Sequence, residues 1–215
     1  MDARLKAVMQ FVSNGARVAD IGTDHGYLAI ELIREKNCEK VIATDKNKLP
    51  LESSRKNIID AGFQDKIDLR LGDGLTVLKI DEIDEICIAG LGGSLIVDIL
   101  KNSPEIVNSV KKIIIQPMNA VDKVREFMQE NNYFIYDEDL AEVDEIIYEI
   151  ICFSRFKNNL PTKKSQSILL KKFYQKKIEK LQRVLDEMSK SSNAIKTEKY
   201  LEIRKKISEL EAMIN

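Results

Sequence analysis

No stretch of this 215-residue chain stays apolar for the ~20 residues that a membrane-spanning helix needs, so no spanning helix is expected. Its opening, Met1-Asp2-Ala3-Arg4-Leu5, has no long apolar run behind a basic one, and no secretory signal is expected. Cysteine is scarce: Cys38, Cys87 and Cys152 are odd in number and lack metal-ligand spacing. They read as reduced core thiols, which together with the missing signal points to the cytoplasm and to no metal. Histidine occurs once, at position 25. The glycine pattern Gly-x-Gly-x-x-Gly is missing altogether. What is present is ample for folding. With 44% hydrophobic and 32% charged residues the chain can fill a core, and its length allows one full domain plus an appendage.

The near-zero net charge hides a division. Residues 1–162 carry 20 basic and 28 acidic side chains, a balance of -8; from Lys163 onward there are 14 and 7, a balance of +7. A basic tail on an acidic body suggests that the tail meets a polyanion. In that tail Tyr174, Ile178, Leu181, Leu185 and Met188 recur at heptad-like spacing, as do Tyr200, Ile203, Ile207, Leu210 and Ile214. Two helices joined through Ser189–Lys196, with its Ser191-Ser192-Asn193, would bury these seams against each other as an antiparallel hairpin. The polar break at 158–164, with Pro161, divides a body of residues 1–158 from a tail of 163–215.

In the body, strand and helix patterns alternate. A short amphipathic helix carries Leu5, Val8, Met9 and Val12. Strands are expected at Arg17–Ile21, Val41–Asp45, Ile67–Leu71, Glu85–Ala89 and Lys112–Gln116. Helices are expected at Tyr27–Lys36, from Pro50 to Gly62, in a short piece at Leu75–Leu78, from Ser94 to Lys101, and at Val121–Glu130. Tyr133–Glu142 and Glu145–Arg155 read as a closing hairpin turning near Asp144. The alternation predicts an α/β fold: a Rossmann-like, seven-stranded, doubly wound sheet with an antiparallel last strand. Every glycine cluster then falls at the carboxyl ends of strands one to four, where such sheets bind ligands.

The stretch Arg17–Tyr27 runs from a buried strand into a glycine loop and then a helix. Such a loop allows close approach of a cofactor. NAD(P) and S-adenosyl-L-methionine both use this position. The sequence here is Asp20-x-Gly22-x-x-x-Gly26, without the dinucleotide pattern. Asp20 would repel a pyrophosphate but not an ammonium or a sulfonium, which favours the methyl donor. Asp45, after strand two, is placed to accept hydrogen bonds from ribose hydroxyls, with Lys46 beside it. Asp73, in Gly72-Asp73-Gly74, is placed to hold an adenine amino group. The alternative is that each acid only caps the following helix.

The stretch Val18–Leu28 resembles the first motif of the bacterial tRNA (adenine(22)-N1)-methyltransferases. Arg70–Leu75, Ile88–Gly93, Ile115–Pro117 and Tyr148–Ile150 are similar to further motifs of that family, and the likeness runs in order over residues 4–155. It departs at Asp45, where the family leads us to expect glutamate, and at Leu49-Pro50, where Gly-Pro is expected. The Asn/Asp-Pro-Pro-aromatic run of amino-nitrogen methyltransferases is absent after strand four. The resemblance implies methylation of N1 of a tRNA adenine by S-adenosyl-L-methionine. N1 of neutral adenine already carries a lone pair, so the task is alignment and exclusion of water. Positive charge develops on the base, and Asp24 is the first candidate to stabilise it or to take the amine proton. Ala89, Gly90 and Leu91 would form the opposite wall, Ala89 on the cofactor side and Gly90 and Leu91 at the reacting base. His25 is either a partner of the target base or an orderer of the loop. Tyr27 reads as the helix start, Gln116 and Pro117 as closing the pocket, and Asn119 as a candidate RNA contact.

A base within folded tRNA must be flipped out to react, and phosphates need cations to hold them. The candidate RNA contacts are Lys171, Lys172, Lys176, Lys177, Lys180 and Arg183 on one tail helix. Lys199, Arg204, Lys205 and Lys206 follow on the next. A monomer is expected. Three alternatives stand beside the RNA enzyme: a small-molecule or other-RNA methyltransferase whose tail dimerises it, a NAD-linked oxidoreductase, and a binding module without activity.

Overall fold

The computed structural model describes residues 1–191 and 193–214; Ser192 of the expected helix connection and Asn215 of the expected tail lie outside them. The chain forms two compact units, Met1–Lys164 and Ser165–Asn215.

The first unit is built on seven strands: β1 (Arg17–Ile21), β2 (Lys40–Asp45), β3 (Ile67–Leu71), β4 (Glu85–Leu91), β5 (Lys112–Pro117), β6 (Phe134–Val143) and β7 (Ile146–Ser154). Their order is β3-β2-β1-β4-β5-β7-β6. The first five run parallel, and β7 is antiparallel to both β5 and β6. The expected seven-stranded sheet with its closing hairpin is borne out. Around it stand α1 (Ala3–Phe11), α2 (Tyr27–Lys36), α3 (Lys48–Asp60), α4 (Gly93–Lys101), α5 (Pro104–Ser109), α6 (Val121–Glu130) and the one-turn α7 (Lys163–Gln166).

The central strands read as continuous apolar runs because both faces are covered. Ala19, Ile21, Ile86, Ile88, Ile113 and Ile115 pack with Ile96 and Leu100 of α4, Ile106 of α5, and Val124 and Met128 of α6. Val18, Val41, Ala43, Cys87 and Ile114 pack on the other face with Val8 and Phe11 of α1, Leu28 and Leu32 of α2, and Ile58 of α3. Side chains alternate along a strand, so Asp20, two residues after Val18, turns towards the α1–α2 face. All three cysteines are buried free thiols; burial pushes Cys38 up to about 11 and Cys152 up to about 12, which keeps them inert.

Three local expectations are corrected. The helix after β2 starts at Lys48, not Pro50, because proline is tolerated anywhere in a first turn, where N–H groups lack intrahelical partners. Leu75–Leu78 forms turns rather than a helix; Leu75 and Leu78 are buried, and that packing imitates helical spacing. The helix α5 went unforeseen, being six residues long.

In the second unit, α8 (Leu169–Ser189) packs with α9 (Glu198–Ala212), the two joined through a 3-10 turn at Ala194–Lys196. The seam residues Tyr174, Ile178, Leu181, Leu185, Met188, Ile203, Ile207 and Leu210 are each partly or fully buried, while most of their neighbours are exposed. Thr197 caps α9 by accepting the Tyr200 N–H.

Candidate active site

Two adjoining cavities open at the carboxyl ends of β1 to β4, sharing Gly22, Asp45, Asn47 and Leu91. The narrower, about 90 Å³, is lined by Ile21, Thr44, Lys46, the Gly72-Asp73-Gly74 turn, and Leu95 and Ile99 of α4. The wider, about 510 Å³, holds Asp20, Thr23, Asp24, His25, Tyr27, Ala89 and Gly90. Its remaining lining includes Asp2, Arg4 and Leu5 from the N-terminal segment, Met118, and Val143 and Tyr148 from the β6–β7 hairpin.

Asp20 is the chemical centre of the first loop. It is 3% exposed. Thr23 Oγ1 donates to its Oδ2 at 2.7 Å, and the Ala29 N–H in the first turn of α2 donates to it as well. It therefore caps the helix and faces the cavity at once. Burial outweighs those hydrogen bonds and, with a smaller push from Asp45, raises its pKa to about 6. The backbone around it is already committed. The N–H groups of Gly22 and Thr23 both donate to Thr44 O, at 2.9 and 3.0 Å, and that of Gly26 donates to Thr23 O at 2.9 Å. Those three N–H groups are not available to phosphate oxygens. A buried carboxylate with a raised pKa instead suits a ligand that brings positive charge.

Other expected cofactor residues gather here, with one exception. Asp45 lines both cavities, and its Oδ1 accepts the Asn47 N–H at 2.8 Å, leaving acceptor capacity on the carboxylate. Asp73 is exposed at the rim of the narrow cavity. A Cβ at Gly72 would meet Val77 Cγ1 at 2.0 Å, and one at Gly74 would meet Ile99 Cγ2 at 2.8 Å. The turn can hug the cavity only as glycine. Gly26 lines neither cavity; it precedes α2 at φ 74°, and a Cβ there would press on Ser54 of α3 at 3.3 Å.

Asp24 and His25 protrude, their side chains 68% and 49% exposed, with His25 Nε2 3.6 Å from Asp24 Oδ2. Asp24 sits at φ 52°, a left-handed conformation that only surrounding structure can impose on such a residue. α3 supplies it. Ser54 donates to Asp24 O at 2.5 Å, Asn57 donates to His25 O at 2.9 Å, and Ser53 Oγ lies 2.9 Å from His25 Nδ1. His25 is thus held by the loop's own clamp and packs beside the Tyr27 ring at 5.5 Å. Tyr27 begins α2 and also lines the cavity.

Gln116 and Pro117 do not close the pocket: both are buried and neither lines it. Asn119 Oδ1 accepts the Gly93 N–H at 3.3 Å and so serves the start of α4. Asn47, Leu95, Ile99 and Arg4 are lining residues that sequence reading missed, and Thr23 and Tyr148 lie in family-like stretches without having been given a role. Leu95 and Ile99 carry a local signal, an i, i+4 pair behind the Gly92-Gly93 turn. Among the described residues no group of three or more His, Cys, Asp or Glu side chains gathers as a metal site. The expected tail cations lie on α8 and α9 in the second unit, where all are exposed except the half-buried Lys176.

A parallel five-stranded core closed by an antiparallel hairpin, with acids at the ends of β1 and β2 and no Gly-x-Gly-x-x-Gly loop, defines a methyltransferase-type domain rather than a dinucleotide-linked one. The chain belongs to the methyltransferase-domain family, which matches residues 1–151. It is 34% identical over 151 residues to the tRNA (adenine(22)-N(1))-methyltransferase of Bacillus subtilis. That match covers 70% of this chain and 63% of the relative, somewhat under two thirds of its length. A Streptococcus pneumoniae putative tRNA (m1A22) methyltransferase, solved in complex with S-adenosyl-L-methionine, superposes with a TM-score of 0.85 at 30% identity, covering 100% of both chains. A Mycoplasma capricolum relative, solved with S-adenosyl-homocysteine, gives 0.83 at 28% identity, over 100% of this chain and 97% of that one. The resemblance carried by the motifs at Val18–Leu28 and Ile88–Gly93 is borne out by these relatives.

Proposed function

We propose that the protein transfers a methyl group from S-adenosyl-L-methionine to N1 of an adenine in tRNA, the position being 22 as in the Bacillus subtilis relative's name. The observation that carries this reading is Asp20: a buried carboxylate with a raised pKa lining the cavity, beside a loop in which the Gly22, Thr23 and Gly26 N–H groups are already used. When bound, the cofactor supplies an electrophilic methyl group on a sulfonium. Asp20 stabilises its positive charge. Asp45 accepts from ribose hydroxyls, a task for which aspartate serves as well as the family's glutamate. Asp73 faces the adenine amine, and Ile21, Leu95 and Ile99 supply apolar surface for the adenine ring.

The acceptor base enters the wide cavity. Asp24, fixed by Ser54, stabilises the positive charge that builds on the adenine or takes the amine proton, and Ala89, Gly90 and Leu91 form the facing wall. His25 and Tyr27 order the Asp24 side of the loop. Residues 163–215 serve as the tRNA-binding arm, because the acidic body lacks the cations that phosphates require. The protein acts as a monomer in the cytoplasm, where tRNA and reduced thiols are found.

Incubation with tritiated S-adenosyl-L-methionine and bulk tRNA, followed by nucleoside analysis, tests this directly. Labelled 1-methyladenosine is expected; label in another nucleoside, or none, would refute it. The rival reading, a small-molecule enzyme whose tail only dimerises it, requires full activity without residues 163–215.

A further inference from the structure

The wall of the wide cavity formed by Gly90 is held by two residues outside the cofactor motifs. Ala89 pairs with Gln116 and Leu91 with Pro117, so Gly90 is an extra residue in β4. It adopts φ 79°, a left-handed turn suited to glycine. Its N–H donates to Gln116 Oε1 at 3.1 Å. The same oxygen accepts from Arg4 Nη1 at 2.6 Å. Gln116 Nε2 donates to Pro117 O at 3.0 Å.

Gln116 follows Ile113, Ile114 and Ile115 and, like them, is fully buried, at 0% exposure. An amide there is costly unless its hydrogen bonds are made, and an isoleucine would pack without that demand. The amide is accounted for by what it holds: the bulge on one side and α1 on the other. Arg4 is oriented in turn by Asp2 Oδ2 at 3.3 Å, and Asp2 Oδ1 caps α1 through the Leu5 N–H at 2.9 Å. Arg4, Gly90 and Tyr148 all line the cavity, with the guanidinium 6.0 Å from the Tyr148 ring.

We propose that Gln116 and Arg4 are positioning residues for methyl transfer: Arg4 orients the Gln116 amide, and Gln116 holds the Gly90 turn against the acceptor base. This rests on the methyl-transfer reading above. The N-terminal helix α1 is thereby part of the transfer site rather than a cover for the sheet.

The test uses the full chain and the variants Arg4→Ala, Gln116→Leu, Gln116→Glu and the Arg4→Ala/Gln116→Leu pair. It reads kcat and KM for tRNA methylation, cofactor Kd, Tm and the exchange rate of the Gly90 amide. Displacement of a reacting wall by about 1 Å costs up to ~100-fold, so Gln116→Leu should lower kcat about 30-fold and Arg4→Ala about tenfold, with cofactor Kd unmoved. Gln116→Glu keeps the oxygen that accepts from Gly90 and Arg4 but loses the donor to Pro117 O, so it should be faster than Gln116→Leu and slower than the wild type. The double variant should be no slower than Gln116→Leu alone, because both act through one hydrogen-bonded unit. Arg4→Ala should also speed exchange of the Gly90 amide by about tenfold. Should Gln116→Leu fail to fold, Arg4→Ala, at a half-buried helix position, decides alone. Wild-type kcat and Gly90 exchange in Arg4→Ala, or losses that multiply in the double variant, would overturn the proposal. A wild-type protein that methylates no tRNA would sink the methyl-transfer reading instead, and the exchange arm would still judge Arg4 and Gln116.

Discussion

Asp20 is an ionisable group in the best-sealed part of the site, and its protonation couples the cavity to pH. Its pKa stands at about 6 against the usual 3.8. Between those values the folded state holds a proton that the unfolded chain has released, so Asp20 makes stability fall as pH rises through that window. A cationic ligand reverses the effect by favouring the carboxylate. Below about pH 6, binding must expel the proton, and affinity for S-adenosyl-L-methionine should weaken by up to about tenfold per pH unit. Titration calorimetry from pH 5 to 8 checks this. Asp20→Asn should bind weakly with a flat profile, and an unchanged slope in that variant would show that another group titrates. Asp24 is exposed and takes no part in the core, so Asp24→Ala should spare cofactor binding and fold while cutting the transfer rate about 100-fold, as expected for a group acting on developing charge. Transfer at the wild-type rate would remove Asp24 from the mechanism.

Among the elements, the hairpin β6–β7 is fastened by an ionic cluster on the body. Arg125 of α6 donates to Glu138 of β6 at 2.6 Å and to Glu149 of β7 at 2.9 Å. Lys164, in α7, reaches Glu149 at 2.7 Å. Glu149 is 6% exposed, so its charge depends on these two cations rather than on water. Glu149→Gln leaves Arg125 and Lys164 undercompensated. Glu138 still pairs with both cations and Arg125 is only partly buried, which tempers the buried-pair cost to about 2 kcal/mol. A drop in Tm of about 4–8 °C by calorimetry is expected for a chain of this size; no change would mean that water already carries these charges. The tip of this hairpin turns at Asp144 and Glu145, both at positive φ, and a short way along β7 Tyr148 joins the cavity wall. Strands were legible because covered strands write themselves as apolar runs such as Ile113-Ile114-Ile115. The cavity acids Asp20, Asp45 and Asp73, proposed above to hold the cofactor, were legible because they stand at the ends of successive strands. The wall around Gly90 was not. Arg4 meets Gln116 across 112 residues of chain, and no local pattern encodes such a pairing. The same holds for Ser53, Ser54 and Asn57, polar positions on a helix whose partners, Asp24 and His25, are some thirty residues away.

The whole molecule divides its charge as it divides its chain, -8 before Lys163 and +7 from it onward. A body rich in carboxylates repels a polyanion, yet under the proposed function its cavity must receive a nucleobase, and the two requirements meet only if attraction is supplied elsewhere. On α8, Lys171, Lys180 and Arg183 are exposed, and on α9 Arg204 is exposed, while the seam residues Leu185, Ile207 and Leu210 are buried. Replacing those four cations by glutamine leaves the apolar seam intact and so separates charge from folding. Each phosphate left without its cation should make the plot of log kcat/KM for tRNA against log salt shallower by about 0.7–0.9. The quadruple variant should therefore lose most activity near physiological salt and differ least from the wild type at high salt. Its affinity for S-adenosyl-L-methionine should not move, because the residues proposed to hold the cofactor all belong to the first unit. A salt slope equal to that of the wild type would mean that these side chains do not meet phosphates, and would return the arm to the dimerisation reading. A steeper loss of cofactor binding than of tRNA affinity would contradict the division of labour between the two units.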